Sequence, residues 1–297
     1  MIGRLIPSLA AASQAEGGEF NLKEMILHHL ADSPEWEVAG KVIRFPEIHV
    51  PLGPVTLDLS ITKHVFFMFV AALVVLAILL PAARSAKRAH AEGAKRGPKG
   101  AANVVEAFVL FLRDEVALPN IGHGGERFVP FIVTLFFFIL ISNLLGLLPW
   151  GASATGNISV TAALALLSFV VVEVAGMIEL GPKGYAKTIF YAPEGMSWGM
   201  KIPMLIIMTP VEFLGKLTKP FALAIRLFAN MTAGHAVVLA LTGLAVTASI
   251  AGLLPVAIAP VLMATAIMVL ELFVAFLQAY IFAMLTSVFI GLIRHAH

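Results

Sequence analysis

The chain has 297 residues, of which 59% are hydrophobic and 13% are charged, and its formal net charge is +2. Soluble domains carry about 25% charged residues, so this composition indicates an integral membrane protein. A net charge this small gives no reason to expect nucleic-acid binding. The chain has no cysteine, which excludes disulfides, thiolate metal sites and cysteine nucleophiles.

The first part of the chain predicts an arm, one membrane helix and a basic segment. Residues 1–64 carry eight acidic against five basic side chains and are predicted to form an extramembrane arm with a short helix at 22–30. Residues 65–83 are uncharged and are long enough to cross about 30 Å of hydrocarbon. Residues 84–127 are basic and include an amphipathic helix at 103–118. The positive-inside rule places this basic segment in the cytoplasm and the arm outside.

The next part, 128–180, predicts two membrane helices joined by the turn-rich segment Pro149–Asn157. Lysines mark 181–201 as a second cytoplasmic loop. Glu173 and Glu179 lie toward that side and are expected to be exposed at the interface. The outer turn gathers four polar residues, which predict either interhelical hydrogen bonds or the wall of a water-filled path: Ser142, Asn143, Asn157 and Thr161.

Residues 202–297 predict a hairpin of two long helices that turns near Ser249–Pro255. Each helix exceeds a perpendicular span, so it must tilt, kink or lie partly along the interface. Arg294 returns the chain to the cytoplasm. The fold class is therefore an all-α membrane protein with about five membrane helices, an interfacial amphipathic helix and an antiparallel, tilted C-terminal hairpin.

Arg226 lies inside this hairpin, and the next charged residue after it is Glu271. An arginine at membrane depth costs at least about 2.5 kcal/mol and usually marks an ion path or a counter-ion. The alternative is a side chain that snorkels to the headgroups. Asn230 follows one helical turn later on the same face.

Two polar pairs are expected across the hairpin, because residues at equal depth in antiparallel helices have a constant sum of residue numbers. Arg226 and Gln278 sum to 504, and His235 and Glu271 sum to 506. His235 and Glu271 form a titratable couple that can pass a proton. Glu212 lies four turns before Arg226, toward the cytoplasm. The pattern predicts two offset half-paths separated by a permanent positive charge.

The segments TKPFALAIRLFANMTAGH and MVLELFVAFLQAYIFAMLTSVF resemble the subunit a family of the rotary ATP synthase membrane sector. The resemblance implies that Arg226 faces a ring of c subunits, with Asn230 and Gln278 beside it. It also implies that His235 and Glu271 form the pair of the outer half-channel. Some members carry the two residues in the reverse order.

Gly146 departs from the family pattern, because some members carry an acidic residue there. That departure makes Asn143 and Asn157 the expected polar wall of the outer path, and Glu212 is expected on the cytoplasmic path.

The function implied is a stator subunit that conducts protons to and from the c-ring and couples their flow to ATP synthesis. The sequence predicts no nucleotide site, cofactor or metal centre. The expected partners are the c-ring, the peripheral-stalk b subunits and the rest of the complex, in a bacterial inner membrane rather than a mitochondrial one. Two alternatives are a proton-coupled transporter for an anionic solute, which would need inverted repeats, and an intramembrane enzyme using His235 and Glu271.

Overall fold

The computed structural model describes residues 32–38, 41–46, 48–52, 55–58, 60–91, 100–148, 151–190 and 198–294. They form two compact units. The first unit comprises the described parts of Met1–Ala71, Ile141–Asn157 and Phe228–Phe276, and the second comprises those of Ala72–Leu140, Ile158–Leu227 and Leu277–His297. The short helix predicted at 22–30 lies outside the described residues.

Five helices in the described part of the chain are long and apolar enough to cross a membrane, as the hydropathy pattern predicts. They contain the spans Lys63–Ser85, Gly125–Gly146, Ile158–Ile189, Ile202–Ile250 and Pro255–Arg294. This confirms the all-α membrane class.

The N-terminal arm contains two antiparallel β-hairpins that were not predicted. Strand β1 (Glu35–Val38) pairs with β2 (Lys41–Arg44), and β3 (His49–Leu52) pairs with β4 (Val55–Asp58). Aromatic rings join the first hairpin to the first membrane helix: Trp36 lies 5.5 Å from Phe66, and Phe45 lies 5.3 Å from the same ring. Ring contacts therefore hold this hairpin against the helix.

The first membrane helix, α1 (Lys63–Ala91), continues into the basic segment beyond the predicted end at residue 83. The amphipathic helix is longer than predicted: α2 (Ala101–Phe111) runs into a π-helical turn at Leu112–Ala117 and then into α3 (Leu118–Ile121). The second membrane helix, α4, spans Val129–Gly146.

The third membrane helix, α5 (Ile158–Ile189), is broken at Gly181, whose φ of 67° and ψ of 168° are not helical. Pro182 follows and cannot donate a helical hydrogen bond. The break lies where the sequence predicts the helix to end, but the chain resumes a helix up to Ile189. Part of the segment predicted as a loop at 181–201 is therefore helical.

The last two helices, α6 (Trp198–Ile250) and α7 (Leu254–Arg294), form the predicted antiparallel pair. Only residues 251–253 separate them, and Gly252 makes the turn with φ +75°. Within the first unit His235 faces Glu271, and within the second the Lys219 ammonium lies 5.2 Å from the Phe289 ring centre. These pairs sum to 506 and 508, which confirms the expected register.

The end of α7 packs closely against neighbouring backbone in the second unit. A Cβ atom at Gly291 would overlap the Asn120 carbonyl, and one at Gly176 would lie 2.7 Å from Ile293. Arg294 is buried, donates to the His123 carbonyl at 2.8 Å and pairs with Glu179 at 2.9 Å. Glycine at these positions allows backbone and side chains to approach.

We predict that Gly291→Ala destabilises the protein, because backbone rather than a flexible side chain occupies the space of the new methyl group. The expected loss is about 1–3 kcal/mol. Gly199→Ala is the matched control, because its Cβ meets nothing within 4 Å. Thermal unfolding in detergent measures both, and equal midpoints for the two variants would contradict the close approach.

Candidate functional site

His235 on α6 and Glu271 on α7 are brought together in the first unit, with 3.8 Å between His235 Nδ1 and Glu271 Oε1. His235 also faces two backbone carbonyls. Its Nε2 lies 2.8 Å from the Gly146 carbonyl, and its Nδ1 lies 3.1 Å from the Met231 carbonyl. A neutral imidazole donates one hydrogen bond, so only the doubly protonated ring can donate to both. The His235 ring therefore lies between two carbonyl acceptors and a carboxylate.

Gly234 makes room for the Glu271 carboxylate. A Cβ atom at position 234 would overlap the Glu271 carboxylate oxygen. The pairing of His235 with Glu271 thus depends on glycine at position 234, which leaves space for the carboxylate. Gly146 is equally confined, because a Cβ there would lie 2.7 Å from Met231 Cε and would crowd Ser153. An acidic side chain at position 146 does not fit this packing.

Four buried residues beside the turn between α4 and α5 form what we call the polar turn cluster: Ser142, Asn143, Ser153 and Thr155. Thr155 Oγ1 donates to Asn143 Oδ1 at 2.6 Å, and Asn143 Nδ2 donates to the Ala275 carbonyl at 3.3 Å. Ala275 follows Glu271 by one turn of α7. The cluster therefore reaches the helix that carries the carboxylate.

The hydroxyl groups of Ser153 and Thr155 in the polar turn cluster have fewer hydrogens than hydrogen bonds. Ser153 Oγ bonds the Ser142 carbonyl at 3.1 Å and the Thr155 hydroxyl at 2.7 Å, while Thr155 also bonds Asn143. Two hydroxyl hydrogens thus serve three bonds, and each hydroxyl can donate or accept. The hydrogens can redistribute without moving a heavy atom.

Asn157 and His64 lie at the arm side of the same unit. Asn157 Nδ2 donates to Asp32 of the arm at 2.6 Å. His64, which the sequence did not mark as a site residue, is buried, and its Nδ1 lies 2.7 Å from the Ser153 carbonyl. No motif precedes His64 in the sequence, so only its tertiary position reveals it.

Arg226 and Asn230 are both exposed on α6, whereas Gln278 on α7 is buried. The contact of Arg226 with Gln278 remains a prediction. The guanidinium of Arg226 has no ion-pair partner within the described chain.

The second unit contains a cavity of about 240 Å³ lined by Glu173, Glu212, Lys216 and Lys219 together with apolar side chains. Glu173 was expected to be exposed, but it is only 9% exposed. The Tyr185 hydroxyl donates to it, and the Lys216 ammonium lies 3.6 Å away. These partners explain the burial, because a carboxylate away from water needs a counter-charge and donors. Glu212, which was predicted as a site residue, lines the same cavity.

The chain is similar to known proteins of one family. Residues 65–291 match the family model described as "ATP synthase A chain". The chain is 45% identical to "ATP synthase subunit a 2" of Chlorobaculum tepidum over 95% of its own length and 76% of the relative's. It is 46% identical to "ATP synthase subunit a" of Myxococcus xanthus over 89% and 85% of the two lengths. It is 43% identical to "ATP synthase subunit a" of Chloroherpeton thalassium over 90% of its own length and 75% of the relative's.

We predict that Gly234→Ala displaces the Glu271 carboxylate from His235 and destabilises the protein, at a smaller cost than Gly291→Ala because the displaced atoms are the end of a flexible side chain. Removing the carboxylate in the double variant Gly234→Ala, Glu271→Ala should recover part of the loss. Thermal unfolding of the two single variants and the double variant gives the coupling free energy. Strictly additive effects would mean that the two positions do not compete for this space.

Proposed function

Because this chain belongs to the ATP synthase A chain family, we propose that it conducts protons through two half-paths to and from a ring of c subunits. It is a non-catalytic subunit of the membrane sector and has a multi-pass membrane topology. The observation that carries the proposal is the half-buried His235–Glu271 couple, 3.8 Å apart and next to a hydrogen-bonded cluster of hydroxyls and an amide. Such groups pass protons rather than binding solutes.

The outer half-path uses the first unit. This path ends at the His235–Glu271 couple, and its wall includes Asn143 of the polar turn cluster and Asn157 near the arm. A proton reaching the couple is accepted by Glu271 or shared with His235, whose ring already faces two carbonyl acceptors. From there it neutralises a carboxylate on the c-ring.

The inner half-path uses the cavity of the second unit. Glu212 is exposed at this cavity, and Glu173 is buried within reach of Lys216 and Tyr185. A proton leaving the ring can be accepted by Glu212 and passed to the cytoplasm. The Lys216 ammonium, 3.6 Å from Glu173, is the counter-charge of this carboxylate on the inner path.

Arg226 is proposed to separate the two half-paths. Its guanidinium stays charged, so it favours the ionised form of a ring carboxylate opposite it and prevents direct passage of a protonated site. On the face of α6 that carries Arg226, two exposed residues of the second unit are small, Gly215 and Ala222. Their size allows a partner helix to approach. Asn230 and Gln278 are proposed to orient the arginine toward the ring.

The complex is proposed to lie in a bacterial inner membrane, with the N-terminus outside and the C-terminus in the cytoplasm. The lysine- and arginine-rich segments between 84 and 127 and between 181 and 201 support this orientation. The proposed partners are the c-ring, the peripheral-stalk b subunits and the remaining subunits of the synthase.

Replacing Arg226 tests this function directly. Arg226→Ala should abolish proton-driven ATP synthesis in an assembled complex and make the stripped membrane sector passively leaky to protons. Arg226→Lys keeps the charge but loses the planar fork, so it should also fail to support synthesis. The measurement is ATP formation and internal pH in vesicles under an imposed pH gradient. Synthesis at the wild-type rate by the alanine variant would make Arg226 a snorkelling side chain.

The couple is tested by exchange. Glu271→Gln should reduce proton conduction and synthesis by about 10²-fold or more, because it removes a proton-transfer group while keeping its size. His235→Glu combined with Glu271→His should recover more activity than either single change. A double variant no better than the worse single one would show that the residues act separately. Assembly of each complex, checked by subunit composition, serves as the control.

A further inference from the structure

The buried ring of His64 has one nitrogen whose lack of a hydrogen-bond partner a purely structural role does not explain. Its side chain is 5% exposed, and one ring nitrogen, Nε2, is buried with no hydrogen-bond partner among the described residues. Buried polar atoms are nearly always paired with protein or ordered water. The unpaired Nε2 of His64 beside the polar turn cluster therefore indicates that this nitrogen exchanges a hydrogen bond or a proton with water.

The hydrogen bond of the other nitrogen fixes the tautomer. Nδ1 lies 2.7 Å from the Ser153 carbonyl, which can only accept, so Nδ1 must carry a hydrogen. In the neutral ring Nε2 is then the nitrogen with a free lone pair. The geometry leaves Nε2 as the single position at which His64 can take up a proton.

The same turn contacts the imidazoles of His64 and His235. His64 bonds the carbonyl of Ser153, and His235 bonds the carbonyl of Gly146. Gly146 and Ser153 are packed in direct contact, since a Cβ at 146 would lie 3.2 Å from Ser153 Cα. The two histidines are therefore anchored to adjacent points of one turn, next to the polar turn cluster.

We propose that His64 is a further proton-transfer residue, which delivers protons to the His235–Glu271 couple on the outer half-path. Nε2 accepts a proton from water on the arm side, which gives the imidazolium. It then returns that proton to water leading toward His235, while the Nδ1 hydrogen stays on the Ser153 carbonyl. This assignment rests on the proposed function.

The charges around His64 are those expected at such a position. Its electrostatic neighbours are Asp32 from the arm, Lys63 on its own helix and His235 on α6. Asp32 is an acidic neighbour and Lys63 a basic one, so each alters the charge around the ring. A variant of Asp32 or Lys63 would therefore shift the pH dependence of proton uptake through His64.

Two substitutions separate proton transfer from positioning. His64→Asn places an amide nitrogen near the position of Nδ1, so it can hold the Ser153 carbonyl but has no basic nitrogen. His64→Phe keeps the ring size and loses both functions. In the complete synthase reconstituted in vesicles, His64→Asn should lower passive proton conductance about tenfold, less than the 10²–10⁴ of an irreplaceable acid–base group because water can partly substitute. It should also flatten the dependence on external pH between about 5 and 8.

Chemical rescue supplies a second readout. In His64→Ala, added imidazole should restore conductance, whereas pyrazole, a ring of the same size that does not titrate near neutral pH, should not. Rescue by imidazole alone supports the assignment even if His64→Asn assembles poorly. Equal effects of imidazole and pyrazole would overturn the assignment. A wild-type conductance and pH profile in His64→Asn, with a defect only in His64→Phe, would also overturn it, because His64 would then be a positioning residue.

Glu271→Gln, measured in parallel, distinguishes failure of this inference from failure of the proposed function. If Glu271→Gln blocks conduction while His64→Asn conducts normally at every external pH, only the assignment of His64 fails. If Glu271→Gln also conducts normally, the proton path through the first unit fails with it.

Discussion

The structure depends on one constraint: inside hydrocarbon, a polar group can be satisfied only by another part of the protein. In the first unit His235 is satisfied by two backbone carbonyls and by Glu271, and Asn143 by Thr155 and the Ala275 carbonyl. Each of these bonds needs helices to approach closely. Gly146 and Gly234 supply that approach, because a side chain at either position would overlap a partner of the site.

The same constraint shapes the second unit in a different way. Glu173 is buried with a tyrosine donor and a lysine counter-charge, and Arg294 is buried with Glu179 and backbone carbonyls. The first arrangement lines a cavity and leaves a carboxylate accessible to water-sized molecules, whereas the second locks the end of α7. Similar charge pairs thus line a cavity in one place and hold a helix end in another.

Much of the fold follows from the sequence, because hydropathy and charge act over whole segments. The uncharged stretch at 65–83 and the lysine-rich loops are sufficient to place the membrane helices. The β-hairpins of the arm were missed because their strands are only four residues long and one of them contains Pro51. Short strands carry little periodic signal, and here aromatic contacts from Trp36 and Phe45 to α1 stabilise the first hairpin.

The site could be predicted where it depends on helix geometry alone. A constant sum of residue numbers is enough to pair His235 with Glu271, because α6 and α7 are adjacent and antiparallel. Glu173 was misplaced, although it lies about 22 Å into α5 at 1.5 Å per residue and so within the membrane. Counting its depth would have marked it as buried. His64 could not be found this way, because its partner Ser153 lies on a turn whose path is set by tertiary packing.

The hydroxyl groups of Ser153 and Thr155 have a consequence for the order of the folded core. With two hydrogens available for three bonds, the cluster retains more than one hydrogen arrangement while its heavy atoms stay fixed. At any moment one of the three contacts therefore lacks a hydrogen. Alanine at position 153 or 155 would remove one hydroxyl and leave a single hydrogen arrangement for the other.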